Sequence, residues 1–261
     1  MGQPRLKEAA RLAHGAFQFK AQLPKETIYI VQSSPDLRNW NPVLRSVSSG
    51  APIDFVDSTA AKVNYRFYRL LAGNVFSANV IGFISFVLPP GFSMIANPFD
   101  GPGNSVGELF KDWPDGTTLN RFDPMQFKLA ENGVESGHWT NPSEKLIPGE
   151  GAIFFNPTSD YKPLNLVGEV RQGRLSLLIP SGFSICSSLL PLPGHLQDDL
   201  AFPIAHGDVI HVFDRERQQY VLHPYEGGKW TAGAPTLSAG ESFWVAKAEA
   251  GDWVRDFHVA A

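Results

Sequence analysis

The chain has 261 residues, 43% hydrophobic and only 18% charged, with 24 Gly, 21 Pro and a single cysteine. One cysteine excludes an internal disulfide framework, and this much Gly and Pro argues against long helices. No apolar run approaches the roughly 20 residues that a membrane-spanning helix needs. The length suits two domains, and the 19 Phe and 6 Trp can fill two cores without covalent help. The net charge of −4 is uneven: residues 1–79 hold ten Lys/Arg against five Asp/Glu (+5), and the remainder twelve against twenty-one (−9). Electrostatic docking of a basic module on an acidic one accounts for this. The basic residues are scattered without interleaved aromatics, so no nucleic-acid partner is expected.

Residues 4–13 place Leu6, Ala9, Ala10 and Ala13 at helical spacing with Gly15 as a stop, which makes 1–15 an N-terminal helix or the start of a gene fragment. Arg5, Lys7, Glu8 and Arg11 break its apolar pieces, unlike a signal peptide. From Ala16 the period becomes two, with Phe17, Phe19, Ala21 and Leu23 alternating with polar residues. Thr27–Gln32, Ile53–Val56 and Tyr65–Leu71 are further strand candidates, so 16–74 reads as a β-sandwich module. Leu71 to Ala78 reads as a linker.

Beyond the linker one pattern occurs twice. Pro89, Gly91, Phe92 and Ser93 return as Pro180, Gly182, Phe183 and Ser184. Gly116, Phe122, Asp123, Gly137, Trp139, Thr140, Gly149 and Glu150 return as Gly207, Phe213, Asp214, Gly228, Trp230, Thr231, Gly240 and Glu241. Every pair is 91 residues apart, so 80–170 and 171–259 align without a gap as a tandem duplication. Ser105 with Glu108 predicts a capping box before Leu109, and Gln197–Phe202, with Asp198 and Asp199, predicts the matching helical turn. Asp115-Gly116 and His206-Gly207 predict turns ahead of strands, and hairpins follow across Asp123-Pro124 and Asp214-Arg215. The fold class is therefore all-β with few short helices: a β-sandwich, then a pseudo-two-fold duplicated domain.

Ser34-Pro35-Asp36-Leu37-Arg38-Asn39-Trp40, with Asp57 and Arg66-Phe67-Tyr68-Arg69, resembles a fibronectin-III-like sandwich found near the C-termini of large exported bacterial proteins. The resemblance implies that Asp36 closes a turn, Trp40 fills the core and the Arg-Phe-Tyr-Arg strand ends the sandwich. The duplicated signature resembles an uncharacterised β domain of secreted or surface-associated bacterial proteins, which implies that setting but no activity.

No complete catalytic motif occurs. Gly91-Phe92-Ser93-Met94-Ile95 and Gly182-Phe183-Ser184-Ile185-Cys186 lack the closing Gly of a nucleophile elbow. Neither a phosphate loop nor His-Glu-x-x-His is present. Glu150 and Glu241, equivalent by the repeat, form a candidate catalytic pair of carboxylates, although capping of a turn is the plainer role. His206, Asp208 and His211 form a candidate site for zinc or another divalent transition metal, which would make the chain a hydrolase of esters or phosphoesters. Their first-half equivalents are Asp115, Thr117 and Asn120, so drift among surface residues competes with this reading. Trp139 and Trp230 are candidate ligand platforms, or core residues. Cys186 sits in an apolar strand and is expected to be inert, with His195 its one conceivable base. Taken together, the residues favour a binding or structural module without a cofactor, for a carbohydrate or protein ligand, and the two resemblances imply that it is secreted or at the cell surface as part of a longer protein.

Overall fold

Period-two alternation and turn residues at close intervals produce short strands along the whole chain. The computed structural model describes residues 2–101 and 104–259. Its first strands are β1 (Lys7–Arg11), β2 (Phe17–Ala21), β3 (Ile28–Ser34), β4 (Asn41–Val47), β5 (Ile53–Asp57), β6 (Tyr65–Ala72), β7 (Val75–Phe76) and β8 (Ile81–Leu88). Next come β9 (Gly91–Ile95), β10 (Thr118–Asp123), β11 (Lys128–Glu135), β12 (His138–Trp139), β13 (Ala152–Asn156) and β14 (Lys162–Glu169). The series closes with β15 (Gly173–Ile179), β16 (Gly182–Ser187), β17 (Gly194–His195), β18 (Val209–Asp214), β19 (Gln219–Glu226), β20 (Lys229–Trp230), β21 (Thr236–Leu237), β22 (Ser242–Lys247) and β23 (Gly251–Phe257). Two compact units result: Met1–Phe86 with Asn165–Gln172 and His258–Ala261, and Val87–Leu164 with Gly173–Phe257.

The first unit is a sandwich of a three-stranded sheet, β1-β2-β5, and a larger sheet in the order β14-β8-β6-β3-β4 with β7 paired to β6. Alternation sends Phe17, Phe19 and Phe55 inward from one sheet to meet Tyr68 and Phe83 from the other. Phe17 stacks on Tyr68 with ring centroids 4.8 Å apart, and fully buried rings of this kind contribute about 1.5–3 kcal/mol each. Asp57 carries the polar part of this core. Its carboxylate accepts hydrogen bonds from Thr59 N–H, Thr59 Oγ1, Tyr68 Oη and Arg66 Nη1.

Residues 7–11 are a strand, not the expected helix. A helix this short is marginal in water, and pairing with β2 (Arg11 opposite Phe17, Ala10 opposite Gln18) satisfies backbone groups that it would leave open. The buried Asn79 side chain also accepts from Leu6 N–H and donates to Leu6 C=O, each at 2.9 Å, holding the entry to β1 as a neighbouring strand would. Leu71 to Ala78 is no linker either, because β6 and β7 form a hairpin there. Asp36 does close its turn, accepting from the N–H groups of Arg38 and Asn39. Trp40, however, is only half-buried and lies under the Arg69 guanidinium, and the Arg-Phe-Tyr-Arg strand is central in its sheet.

The second unit contains the sheets β12-β11-β10-β13-β9 and β16-β22-β18-β19-β20, which share one strand order and lie 91 residues apart in sequence. The outer pair β15·β23 of the second repeat is a separate two-stranded sheet. Its first-repeat counterpart, β8 with β14, belongs for most of its length to the first unit, which moves the division from residue 80 to 87. The two repeats are joined reciprocally. Ala96 N–H donates to Gly240 C=O at 2.9 Å, and Ser187 N–H donates to Gly149 C=O at 3.1 Å. Short β-bridges link Ile95 with Glu241 and Cys186 with Glu150. The same surface thus meets itself, as in an isologous dimer.

Helical turns are fewer than expected. Val106–Leu109 forms a single turn, but Ser105 Oγ donates to the Glu108 carboxylate and caps no N–H. Residues 197–200 are turns, where the Asp199 carboxylate accepts from His195 N–H.

The Asp57 cluster predicts an acid limb. Burial alone would push its carboxyl up, but the bonds from Thr59, Tyr68 and Arg66 outweigh it and hold the group below its ordinary 3.8. The resulting stabilisation is present above the unfolded value and is lost as pH falls through the lowered folded one. In urea unfolding, Asp57→Asn is expected to cost about 1–3 kcal/mol at pH 7. That gap should narrow below pH about 4, near the model-peptide carboxyl value; a gap independent of pH would refute the assignment.

Candidate functional site

The hairpins of the two repeats share one backbone route but end in different side chains. Asp123 Oδ1 accepts from the N–H groups of Met125 and Gln126, and Asp214 Oδ1 accepts from those of Glu216 and Arg217, so both turns are closed alike. At the end of each turn the backbone becomes left-handed, at Phe127 (φ 51°) and its equivalent Gln218 (φ 53°). Glycine is the low-energy choice there, and a side chain at such a position costs roughly 1 kcal/mol. Both hairpins keep one, and each side chain reaches towards the edge strand of the other repeat.

Gln218 closes its side. Its carboxamide accepts from Phe92 N–H at 2.8 Å and donates to Phe92 C=O at 2.9 Å, with a further bond to Arg215 C=O. Phe127 has no such group to offer at Phe183. Its ring instead packs edge-on at 6.2 Å from Phe183 and 5.4 Å from Phe122, leaving 70% of the residue exposed. Between these rings and Leu129, His211, Tyr220 and Trp244 opens a groove of about 420 Å³ with almost wholly apolar walls. The equivalent depression beside Gln218, lined by Phe92, Met94, Ile153, Phe213 and Tyr220, is half that size at about 210 Å³. Trp244 and His211 stand opposite each other on β22 and β18, where the first repeat has Ile153 and Asn120.

Polar groups in the groove are few. Trp244 Nε1 donates to Tyr220 Oη at 3.1 Å. His211 lies in a T-shaped contact 6.0 Å from Phe183, and desolvation holds its imidazole below the ordinary 6.5. The neutral ring is therefore the favoured form at neutral pH.

Apart from His211, the site candidates singled out in the sequence are placed elsewhere. Trp139 is a core residue, 8% exposed, with its indole N–H donated to Phe110 C=O. Trp230 is half-buried against Tyr225 and donates to Gln197 Oε1. Glu150 ion-pairs with Arg121 at 2.8 Å and accepts from Ile147 N–H. Glu241 lies 3.5 Å from Arg215 and accepts from Ser238 N–H. Each carboxylate thus closes its own turn. His206, Asp208 and His211 do not converge on a metal position. Asp208 is fully buried and holds Lys247, while accepting from the N–H groups of Ala205 and Ala248. His206 instead accepts at Nδ1 from Gly227 N–H, and His211 belongs to the groove. No group of three or more His, Cys, Asp or Glu able to hold a metal ion occurs among the described residues. Burial pushes the Cys186 thiol up to about 12, and His195 Nδ1 lies 3.0 Å from Thr236 Oγ1.

Apart from His211, the groove residues escaped the sequence reading as a site because they come from six strands and a turn of both repeats. The available signal was departure from the repeat: Phe127 against Gln218, and Trp244 against Ile153.

Two expected outcomes follow from these placements. Asp208→Ala leaves Lys247 buried with Pro203 C=O as its one remaining hydrogen-bond partner among the described residues, and should cost about 3–5 kcal/mol in urea unfolding. Replacing the pair by the first-repeat residues, Asp208→Thr with Lys247→Asn, should cost less than the single change; equal stability of Asp208→Ala and the parent would contradict the pairing. In an NMR titration His211 should show a midpoint below 6.5, and Trp244→Ala, which hydrates the ring, should raise it. Because the unfolded chain takes up this proton first, the His211 contribution to stability falls as pH drops from the ordinary value through the lowered one.

No helix among the described residues is long and apolar enough to cross a membrane. No protein-family model and no curated protein matches the chain.

Proposed function

We propose that the chain is a non-enzymatic binding module of a secreted or cell-surface bacterial protein, and that it holds a protein ligand by apolar side chains in the aromatic groove. The observation that carries this reading is Phe127, an aromatic residue 70% exposed at a left-handed backbone position where glycine would be more stable. A ring kept on the surface against both hydration and backbone preference fits a role outside folding. The groove has the size of a small-ligand or hot-spot pocket and is walled by the residue types that dominate protein recognition.

A protein ligand is better supported than a carbohydrate. Sugar recognition couples an aromatic face to several hydrogen-bonding groups, and the groove offers only the Tyr220 hydroxyl, already engaged by Trp244, and one imidazole. Trp139, the sugar platform suggested by the repeat, lies in the core.

The test uses Phe127→Gly, which removes the ring while relieving the left-handed backbone. The variant should melt no lower than the parent. It should also lose most of the saturable fluorescence enhancement of 1-anilinonaphthalene-8-sulfonate, an apolar dye that the parent should take up. A parent protein with no saturable dye site, or a variant that binds the dye equally well, would sink the proposal.

A further inference from the structure

We infer that the ligand of the groove is an extended peptide segment, which pairs one residue's backbone with Phe183 on the edge of β16 and seats an apolar side chain among the aromatic rings. This rests on the binding-module reading above and names what the module binds.

The first repeat supplies the template. Phe92 lies opposite Phe155 in the β9·β13 ladder, with its own N–H and C=O turned away from that ladder, and the Gln218 carboxamide takes both. Those two bonds are the ones a residue of an added antiparallel strand would make. The fold uses a carboxamide in place of a strand a second time, in the first unit, where Asn79 holds Leu6 N–H and C=O.

Phe183 occupies the equivalent place in the second repeat. It lies opposite Ala246 in the β16·β22 ladder, so its N–H and C=O face the same way. Position 127 offers a phenyl ring instead of a carboxamide, and neither Phe183 group has a partner among the described residues. Space confirms the difference. A Cβ placed on Gly91 would come within 2.7 Å of Gln218 Oε1, whereas one placed on Gly182 would meet nothing within 4 Å. One molecule thus carries the same backbone docking position twice, filled by its own amide on one side and open beside an aromatic groove on the other. An unpaired strand edge next to an apolar pocket is the arrangement used in strand addition: main-chain bonds hold the peptide and the pocket selects a side chain. The open edge is short, since Ser187 N–H, four residues beyond Phe183, is already bonded to Gly149 C=O.

The probe is acetyl-Thr-Val-Phe-Val-Thr-amide, beside the same peptide methylated on the phenylalanine nitrogen, which keeps the side chain and removes the N–H. The parent protein should bind the first peptide with a change in Trp244 emission and with slowed hydrogen exchange at the Phe183 amide. N-methylation should weaken binding by about tenfold, the worth of one well-made hydrogen bond. Phe127→Gln places a carboxamide at the same left-handed position as Gln218 and should abolish peptide binding by closing on Phe183 from within. Phe127→Leu, apolar but without an amide, should retain binding within a few-fold. Equal affinity for the two peptides, or uptake of the apolar dye without the parent peptide, overturns the edge pairing and leaves the groove as an apolar site. Failure to bind both dye and peptide overturns the binding-module reading as well.

Discussion

The second unit depends on a reciprocal exchange of backbone hydrogen bonds, Ala96 to Gly240 and Ser187 to Gly149, which locks the two repeats face to face. Because each repeat contributes the same groups, one solution of the packing problem satisfies both sides, as in a two-fold dimer carried on one chain. The contact is close. Gly151 has no room for a side chain, since a Cβ there would meet Ile185 Cγ2 and Ser242 Cβ at 2.5 Å. The same junction accounts for the repeated glutamates, each of which ties down the turn that delivers its strand to the other repeat.

Symmetry at the junction makes asymmetry elsewhere informative. The exchange brings the hairpin of each repeat to the edge strand of the other, so Gln218 reaches Phe92 and Phe127 reaches Phe183 by the same backbone route. Of the two equivalent positions, one is closed by its own amide and the other is open. Replacing an amide by a ring at position 127, with Trp244 and His211 in place of Ile153 and Asn120, turns a filled contact into an open aromatic groove. The ion pair of Asp208 and Lys247, where the first repeat has Thr117 and Asn156, is a second departure. Unlike the groove it is wholly internal and serves the fold.

Much of the fold was legible because its signals are local. Alternation and branched or aromatic content predicted β2, β3, β5 and β6, though not β4, and Asp36, Asp123 and Asp214 close their turns through bonds to N–H groups two or three residues on. The constant spacing of 91 anticipated two sheets of one strand order. The failures involve competition between local and distant partners. Residues 4–13 have helical spacing, but β2 and Asn79 offer their backbone more than a short helix could. The apparent linker became a hairpin, and the outer strands of the first repeat joined the first sandwich. The candidate site was the least legible part, because repetition drew attention to Trp139, Trp230, Glu150 and Glu241. Residues that a duplication preserves are those the scaffold needs.

By itself, then, the sequence determined the all-β class, the duplication and the turns, since these follow from side-chain periodicity, from glycine and aspartate at fixed offsets, and from identity at one spacing. Only the tertiary structure decided where the units divide, that the repeated tryptophan at 139 is core, and that the groove exists. The physical reason is that an apolar pocket depends on which side chains from distant strands share one surface and which backbone edges remain unpaired. Neither is a property of neighbours along the chain.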